Sequence, residues 1–205
     1  MLNSLLLGTR NPGKIYEIKL IIGDLGLELR SLQEFPGVDV AEENAPTYSG
    51  NAITKAVFYA RATGLLTLAD DSGLEVEALR GAPGVLSARY AGEHATDADR
   101  RELLLSELAK TGIANRRARF VCAIAIARAD GEVLNLSEGI CEGSITFAPR
   151  GDSGFGYDPL FIPDDYNQTF GELSDEIKNH ISHRARALQK IRHWLTSQTT
   201  ELDQL

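Results

Sequence analysis

Cysteine is nearly absent from this chain: its 205 residues include only Cys122 and Cys141. Two cysteines leave no disulfide framework to read. They flank Asp130-Gly131, and if that dipeptide makes a two-residue hairpin turn, Cys122 faces Gly139 and Cys141 faces Phe120. The thiols then lie on a diagonal too long for a disulfide, so both are expected as reduced core residues. Basic charge is also short, with 21 Lys and Arg against 29 Asp and Glu and a formal net charge of −8. A general nucleic-acid binder needs a basic face, so the balance argues against that class, whereas a local basic pocket for a small anion stays open. No apolar run approaches the length of a membrane span, and no basic region precedes the apolar stretch at the N-terminus. That stretch reads as a first strand rather than a signal peptide, which makes cytoplasmic residence the expectation.

What remains is an ordinary globular composition, 43% hydrophobic and 24% charged, long enough for one sizeable core. Leu2 to Leu7 predicts a strand. Asn11 caps a helix that starts at Pro12, carries Ile15, Ile18 and Ile22 at helical spacing, and ends at Gly23 and Gly26. A short strand is expected at Leu27 to Leu32, and Thr47 starts a second helix with Ala52, Ile53, Ala56 and Ala60 on one face, closed by Gly64. Thr96 with Asp99 forms a capping box for a helix that stops at Gly112. Ala118 to Ala127 and Val133 to Cys141 form a hairpin, and a short strand at Leu160 to Ile162 follows a glycine-rich loop. Strands and helices interleave without repeats or linkers, so the prediction is an α/β fold in a single domain, 1–205, with a polar tail that frays after Thr196.

Three places carry chemistry. In Leu65 to Gly73 an apolar run meets Asp70-Asp71 and then Ser72, which predicts a buried strand ending at a pair of acids. Adjacent carboxylates repel unless a cation sits between them, and hard oxygen ligands suit Mg²⁺. Thr9-Arg10-Asn11-Pro12-Gly13-Lys14 lies between strand and helix and reads either as a phosphate cradle or as a plain helix cap; it lacks the Walker A pattern. Gly154-Phe155-Gly156-Tyr157-Asp158 puts two aromatics among glycines, suited either to stacking on a nucleobase or to anchoring the loop in the core. Near the C-terminus, Arg184 interrupts the stripe Ile177, Ile181, Leu188, Ile191 and Leu195. Either Ser182 caps a fresh helix, or Arg184 is buried towards a ligand, and both make Ser182, His183 and Arg184 a special point.

Thr-x-Asn-x-x-Lys, Ala-Asp-Asp-Ser-Gly-Leu, Phe-Gly-Tyr-Asp-Pro and Ile-Ser-His-Arg occur in this order. Gly-Ala-Pro-Gly-Val-Leu-Ser-Ala-Arg-Tyr at 81–90 and Glu-Leu-Ser-x-x-x-Lys-Asn at 172–179 join them. The set resembles the non-canonical purine nucleoside triphosphate pyrophosphatases, the inosine/xanthosine triphosphatase family, over roughly Leu2 to Leu195. The resemblance implies an elongated α/β fold with a long mixed β-sheet and two lobes around a nucleotide cleft. It implies a homodimer that uses Mg²⁺ to hydrolyse ITP, dITP and XTP to the monophosphate and pyrophosphate. By the same resemblance Thr9, Arg10, Asn11, Pro12, Gly13 and Lys14 hold the triphosphate, and Glu43 and Asp71 serve the metal, with Asp71 also the proton acceptor. Ser72, Phe155, Gly156, Tyr157, Asp158, Lys178, His183 and Arg184 contact the nucleotide. A donor at Arg184 or Lys178 rewards a 6-carbonyl and opposes the adenine amine. The chain departs from the family pattern at Arg10, where glycine is common, and at Gly50 and Ile177, where acids are common. The competing readings are a pyrophosphatase for pyrimidine or modified nucleotides and a sensor that binds without turnover.

Overall fold

The computed structural model describes residues 4–202. Strand β1, Ser4–Leu7, is short and buried; Leu2 and Asn3, expected in it, lie outside the described residues. Helix α1, Pro12–Ile22, is capped as its sequence dictates, with Asn11 Oδ1 accepting the Lys14 N–H at 3.1 Å and Pro12 in the first turn. Strand β2, Glu28–Ser31, follows. Helix α2, Tyr48–Thr63, starts at Thr47 and closes at Gly64. Next come β3, Thr67–Val76, and α3, Asp97–Thr111, whose Thr96/Asp99 capping box forms on both sides. Strands β4, Arg117–Ala127, and β5, Val133–Ile145, form the hairpin. The chain ends with β6, Phe161–Pro163, α4, Asp175–Ile181, and α5, His183–Leu202.

The strands form one six-stranded sheet in the order β2-β1-β3-β4-β5-β6. β1 pairs in parallel with β2 and β3, with Leu7 opposite Ser31 and Leu68, while β5 and β6 are antiparallel. The sheet is therefore mixed and the fold α/β, as expected. The chain forms two compact units interleaved in sequence. The first comprises residues up to Asp71, Cys122–Gly139 and the chain from Arg184. Its core joins Leu5, Leu7, Ile18, Ile22, Leu68, Ile124, Ile126, Leu188 and Ile191. The second comprises Ser72–Val121 and Ile140–His183, around Leu74, Val76, Leu104, Leu108, Tyr157 and a stack of Phe120, Phe161 and Phe170.

Three local expectations are corrected, and one alternative is decided. β3 does not end at Asp70-Asp71 but runs through them to Val76, because both acids find compensating partners inside the unit (below). The hairpin does not turn on two residues: Gly131 N–H bonds Arg128 O and Arg128 N–H bonds Glu132 O, a three-residue loop with Gly131 at φ 97°. The C-terminal stripe is two helices, the interruption offered as one alternative, broken at Ser182, which has extended dihedrals of −67° and 158°. The tail after Thr196 is helical to Leu202; Thr196 and Ser197 return their hydroxyls to the carbonyls of Arg192 and Trp194, at 2.9 and 2.7 Å. Both cysteines are free and buried, as read from the sequence, and burial pushes the Cys122 thiol up to about 12. Among the described residues, no helix is long and apolar enough to cross a membrane.

Candidate active site

Neighbouring residues on a strand face opposite ways, so Asp70 and Asp71 meet different surroundings. Asp70 is fully buried, and its Oδ2 receives Lys14 Nζ at 3.0 Å and both Nε and Nη2 of Arg184 at 3.2 Å. Burial alone would raise this carboxyl, but the charges of Lys14, Arg184 and Lys55 outweigh it and hold it well below the usual range. Arg184, 2% exposed, also donates from Nη1 to Glu17 Oε2 at 2.5 Å. Burial opposes its charge, yet Glu17 and Asp70 hold it above its ordinary value. The helix restart that the sequence offered at Arg184 is thus realised, and the guanidinium is buried as well. The acceptors that compensate it are carboxylates of the protein itself.

Asp71 is 5% exposed. Its Oδ2 accepts a hydrogen bond from Asn51 Nδ2 at 2.9 Å, and its Oδ1 lies 3.8 Å from Lys55 Nζ. The orientation of the Asn51 amide is settled by the Ala45 N–H, which donates to its Oδ1 at 2.9 Å. Lys55 also pairs with Glu43 Oε1 at 3.0 Å, so one ammonium joins the two acids expected at a metal. The neighbouring Glu42 is exposed and accepts from Asn44 Nδ2 at 3.0 Å instead, so Glu43 is the acid beside Asp71. Burial pushes the Asp71 carboxyl above its ordinary value, with Lys55 and Asn51 pulling back only in part. Burial would also discharge Lys55, but Asp70, Asp71 and Glu43 hold it above the usual lysine value, so it remains an ammonium.

The Thr9–Lys14 segment forms the helix cap that its sequence offered. Asn11 caps α1, and Thr9 Oγ1 accepts the Asn11 N–H at 3.2 Å, which leaves Lys14 pointing at Asp70. Arg10 is exposed and donates to Val38 O at 2.7 Å; Pro12 and Gly13 form the first turn. Gly8 lets this segment lie against β3, since a Cβ there would meet Ala69 Cβ at 3.0 Å and Leu68 O at 3.1 Å.

The second unit holds the other candidates. The two loop aromatics differ in burial: Tyr157 is buried in the core with its hydroxyl donating to Ser87 O at 3.0 Å, while Phe155 is half-buried. Asp158 Oδ2 accepts the Phe155 N–H at 2.8 Å and Lys178 Nζ at 2.6 Å, and that ammonium lies 4.9 Å from the Phe155 ring centre. Gly154 is required here: it adopts φ 76°, and a Cβ would fall 2.1 Å from Asp158 Oδ2. The His183 ring stacks on Phe120 at 4.6 Å, and Ser72 is half-buried on β3. Asn51, Lys55 and Glu17 were not singled out from the sequence. Their signal was there for Asn51 and Lys55, polar residues four apart beside the buried alanine face of α2.

A sequence model described as the Ham1 family matches residues 5–194. The chain belongs to the Ham1 family. A curated relative from Desulforamulus reducens, named dITP/XTP pyrophosphatase, is 50% identical over 186 residues, covering 91% of this chain and 92% of the relative. Another of that name, from Desulfotalea psychrophila, is 48% identical and covers 94% and 85%. Among solved structures, a HAM1 protein from Coxiella burnetii has a TM-score of 0.87 at 41% identity, covering 95% of this Ham1-family chain and 99% of the other. The Staphylococcus aureus Ham1 protein gives 0.84 at 38% identity, covering 96% and 100%.

Proposed function

We propose that the protein is a nucleoside triphosphate pyrophosphatase that converts dITP, XTP and ITP to the monophosphate and pyrophosphate, with water attacking the α-phosphorus. One observation carries this reading: a buried acid with a raised pKa, Asp71, stands beside a held ammonium and a second acid, in a chain half identical to a dITP/XTP pyrophosphatase. Asp71 accepts the proton of the attacking water, whose oxygen bonds to the α-phosphorus as the bond to the bridging oxygen of the β,γ unit breaks. Lys14 and the first turn of α1 neutralise the triphosphate, and Lys55 holds positive charge beside the reacting oxygens.

Glu43 and Asp71 fit a hard divalent cation. Mg²⁺ is commonly held by one or two carboxylates with substrate phosphates and water, and these are two carboxylates already drawn towards one positive charge. When bound, it neutralises phosphate charge and makes a coordinated water more acidic. For the base, Phe155 supplies the stacking ring. Of the two candidate donors, the reading favours Lys178, which lies over Phe155, because Arg184 already donates from Nε, Nη1 and Nη2 to carboxylates. A cytoplasmic homodimer completes the proposal; sedimentation showing a monomer at working concentration would remove the dimer from it.

The deciding assay is product analysis with ITP, dITP, XTP, ATP and GTP in the presence of Mg²⁺. The expected result is monophosphate plus pyrophosphate from the first three and far slower turnover of the last two. Release of orthophosphate, equal rates on ATP, a preference for pyrimidine triphosphates, or binding without turnover would each refute it. In the same assay Phe155→Ala is expected to weaken nucleotide binding by about 1–3 kcal/mol, the scale of one base-stacking aromatic. An unchanged KM with a lower melting temperature would make Phe155 a core anchor instead.

A further inference from the structure

Both backbone polar groups of Gly156 are held by side chains of α3. Its N–H donates to Asp97 Oδ2 at 2.7 Å, and its carbonyl accepts from Arg101 Nη1 at 2.7 Å. Asp97 and Arg101 are four residues apart and so share one face of the first turns of the helix. Asp97 is itself fixed, since its Oδ1 accepts from Arg100 Nη2 at 2.6 Å, and Arg100 Nη1 donates to the carbonyls of Ala88 and Ala95 at 2.9 and 2.6 Å. None of this is needed to terminate the helix, whose N-terminus is already satisfied by Thr96 and Asp99.

The geometry bears on Phe155. The N–H of Gly156 belongs to the peptide plane after Phe155, and the N–H of Phe155 to the plane before it. Asp97 holds the first and Asp158 the second, at 2.7 and 2.8 Å. With both flanking planes held, φ and ψ of Phe155 are set, and with them the direction in which its ring leaves the backbone. Arg101 fixes the next plane, which keeps Gly156 at φ 61° and Tyr157 turned into the core. A loop with glycines on both sides of Phe155 otherwise samples many orientations, and each one lost on binding costs affinity.

We propose that Asp97 and Arg101 are positioning residues that pre-orient Phe155 for the nucleobase through the backbone of Gly156, without touching the nucleotide. This inference rests on the reading of Phe155 as the base-stacking ring. Arg101 also borders a 480 Å³ cavity lined by Ala98, Glu102, Leu105, Ser106 and Pro149, so shortening or straightening its side chain meets no packed wall.

The test compares Arg101→Met, which keeps the stem and removes the donor, with Arg101→Lys, which restores one, each with and without Phe155→Ala. KM and kcat for ITP and the melting temperature are read for every variant. Arg101→Met is expected to raise KM about 3- to 10-fold with little change in kcat, a coupling of ordinary size between neighbouring groups. Arg101→Lys should recover part of that loss, and Arg101→Met should add nothing once Phe155 is alanine. Asp97→Ala should follow the same pattern. If Phe155→Ala raises KM but Arg101→Met and Asp97→Ala change only the melting temperature, the positioning role is wrong while the stacking reading stands. An equal rise in KM from Arg101→Met in both backgrounds also overturns it. If Phe155→Ala leaves KM unchanged, the stacking reading itself fails, and the inference with it.

Discussion

Asp71→Asn is expected to lower kcat by about a hundredfold or more, the scale of a lost general base, while the protein melts no earlier than wild type. The second half of this expectation follows from the direction of the Asp71 shift. Burial raises its pKa, so the ionised form is less favourable in the folded protein than in the unfolded chain. A neutral amide of the same shape removes that cost and can turn its own oxygen towards the fixed Asn51 Nδ2. Loss of activity with a retained or raised melting temperature would identify a group kept ionised for chemistry rather than for stability. Near-normal turnover would show that Asp71 is not the base.

Its neighbour is expected to behave in the opposite way. Asp70→Asn leaves the buried Arg184 and the half-buried Lys14 without the carboxylate between them, and removing one partner of a buried pair costs about 3–5 kcal/mol. The pKa of Asp70 is depressed, so its stabilisation is full above the unfolded value of about 3.9 and is lost as pH falls through the folded value below it. Denaturant unfolding should show the full gap between wild type and variant at pH 7, narrowing as the pH is taken below about 4. A gap under about 1 kcal/mol at pH 7 would mean the ion cluster contributes far less than partner loss in a buried pair implies. One peptide bond thus separates an acid that stabilises the fold from an acid that burdens it.

How far the sequence revealed this depended on the range of the interaction. The helix starts at Asn11, Thr47 and Thr96 were legible because a cap is written within four residues, and each forms as read. The ordered motifs contain Lys14, Asp71 and Phe155, and Glu43 came only by position from the resemblance they carry. The end of β3 was misread because Asp70-Asp71 looks like a strand tip until its partners are known, and Arg184 lies 114 residues from Asp70. Asn51 and Lys55 were hidden for a related reason. On an alanine-rich face such polar side chains look like helix surface, and only the fold puts Asp71 and Glu43 in front of them. The hairpin loop turned on a smaller matter: Gly131 fits either a two- or a three-residue turn, and the strand register chooses.

The amide of Asn51 has a consequence for the proton itself. Because the Ala45 N–H fixes which end of that amide is oxygen, the end facing Asp71 is a donor, and it occupies Oδ2. A carboxylic proton on Oδ2 would meet another hydrogen. On the proposed reading of Asp71 as the base, the oxygen left to receive the proton of water is Oδ1, 3.8 Å from Lys55 Nζ. The two chemically identical oxygens of one aspartate are made unlike by a peptide N–H six residues before Asn51. Exchanging that amide for a carboxylate, a change of a single heavy atom in Asn51→Asp, would erase the distinction and set one anion against another where the reaction needs a base with only one side open.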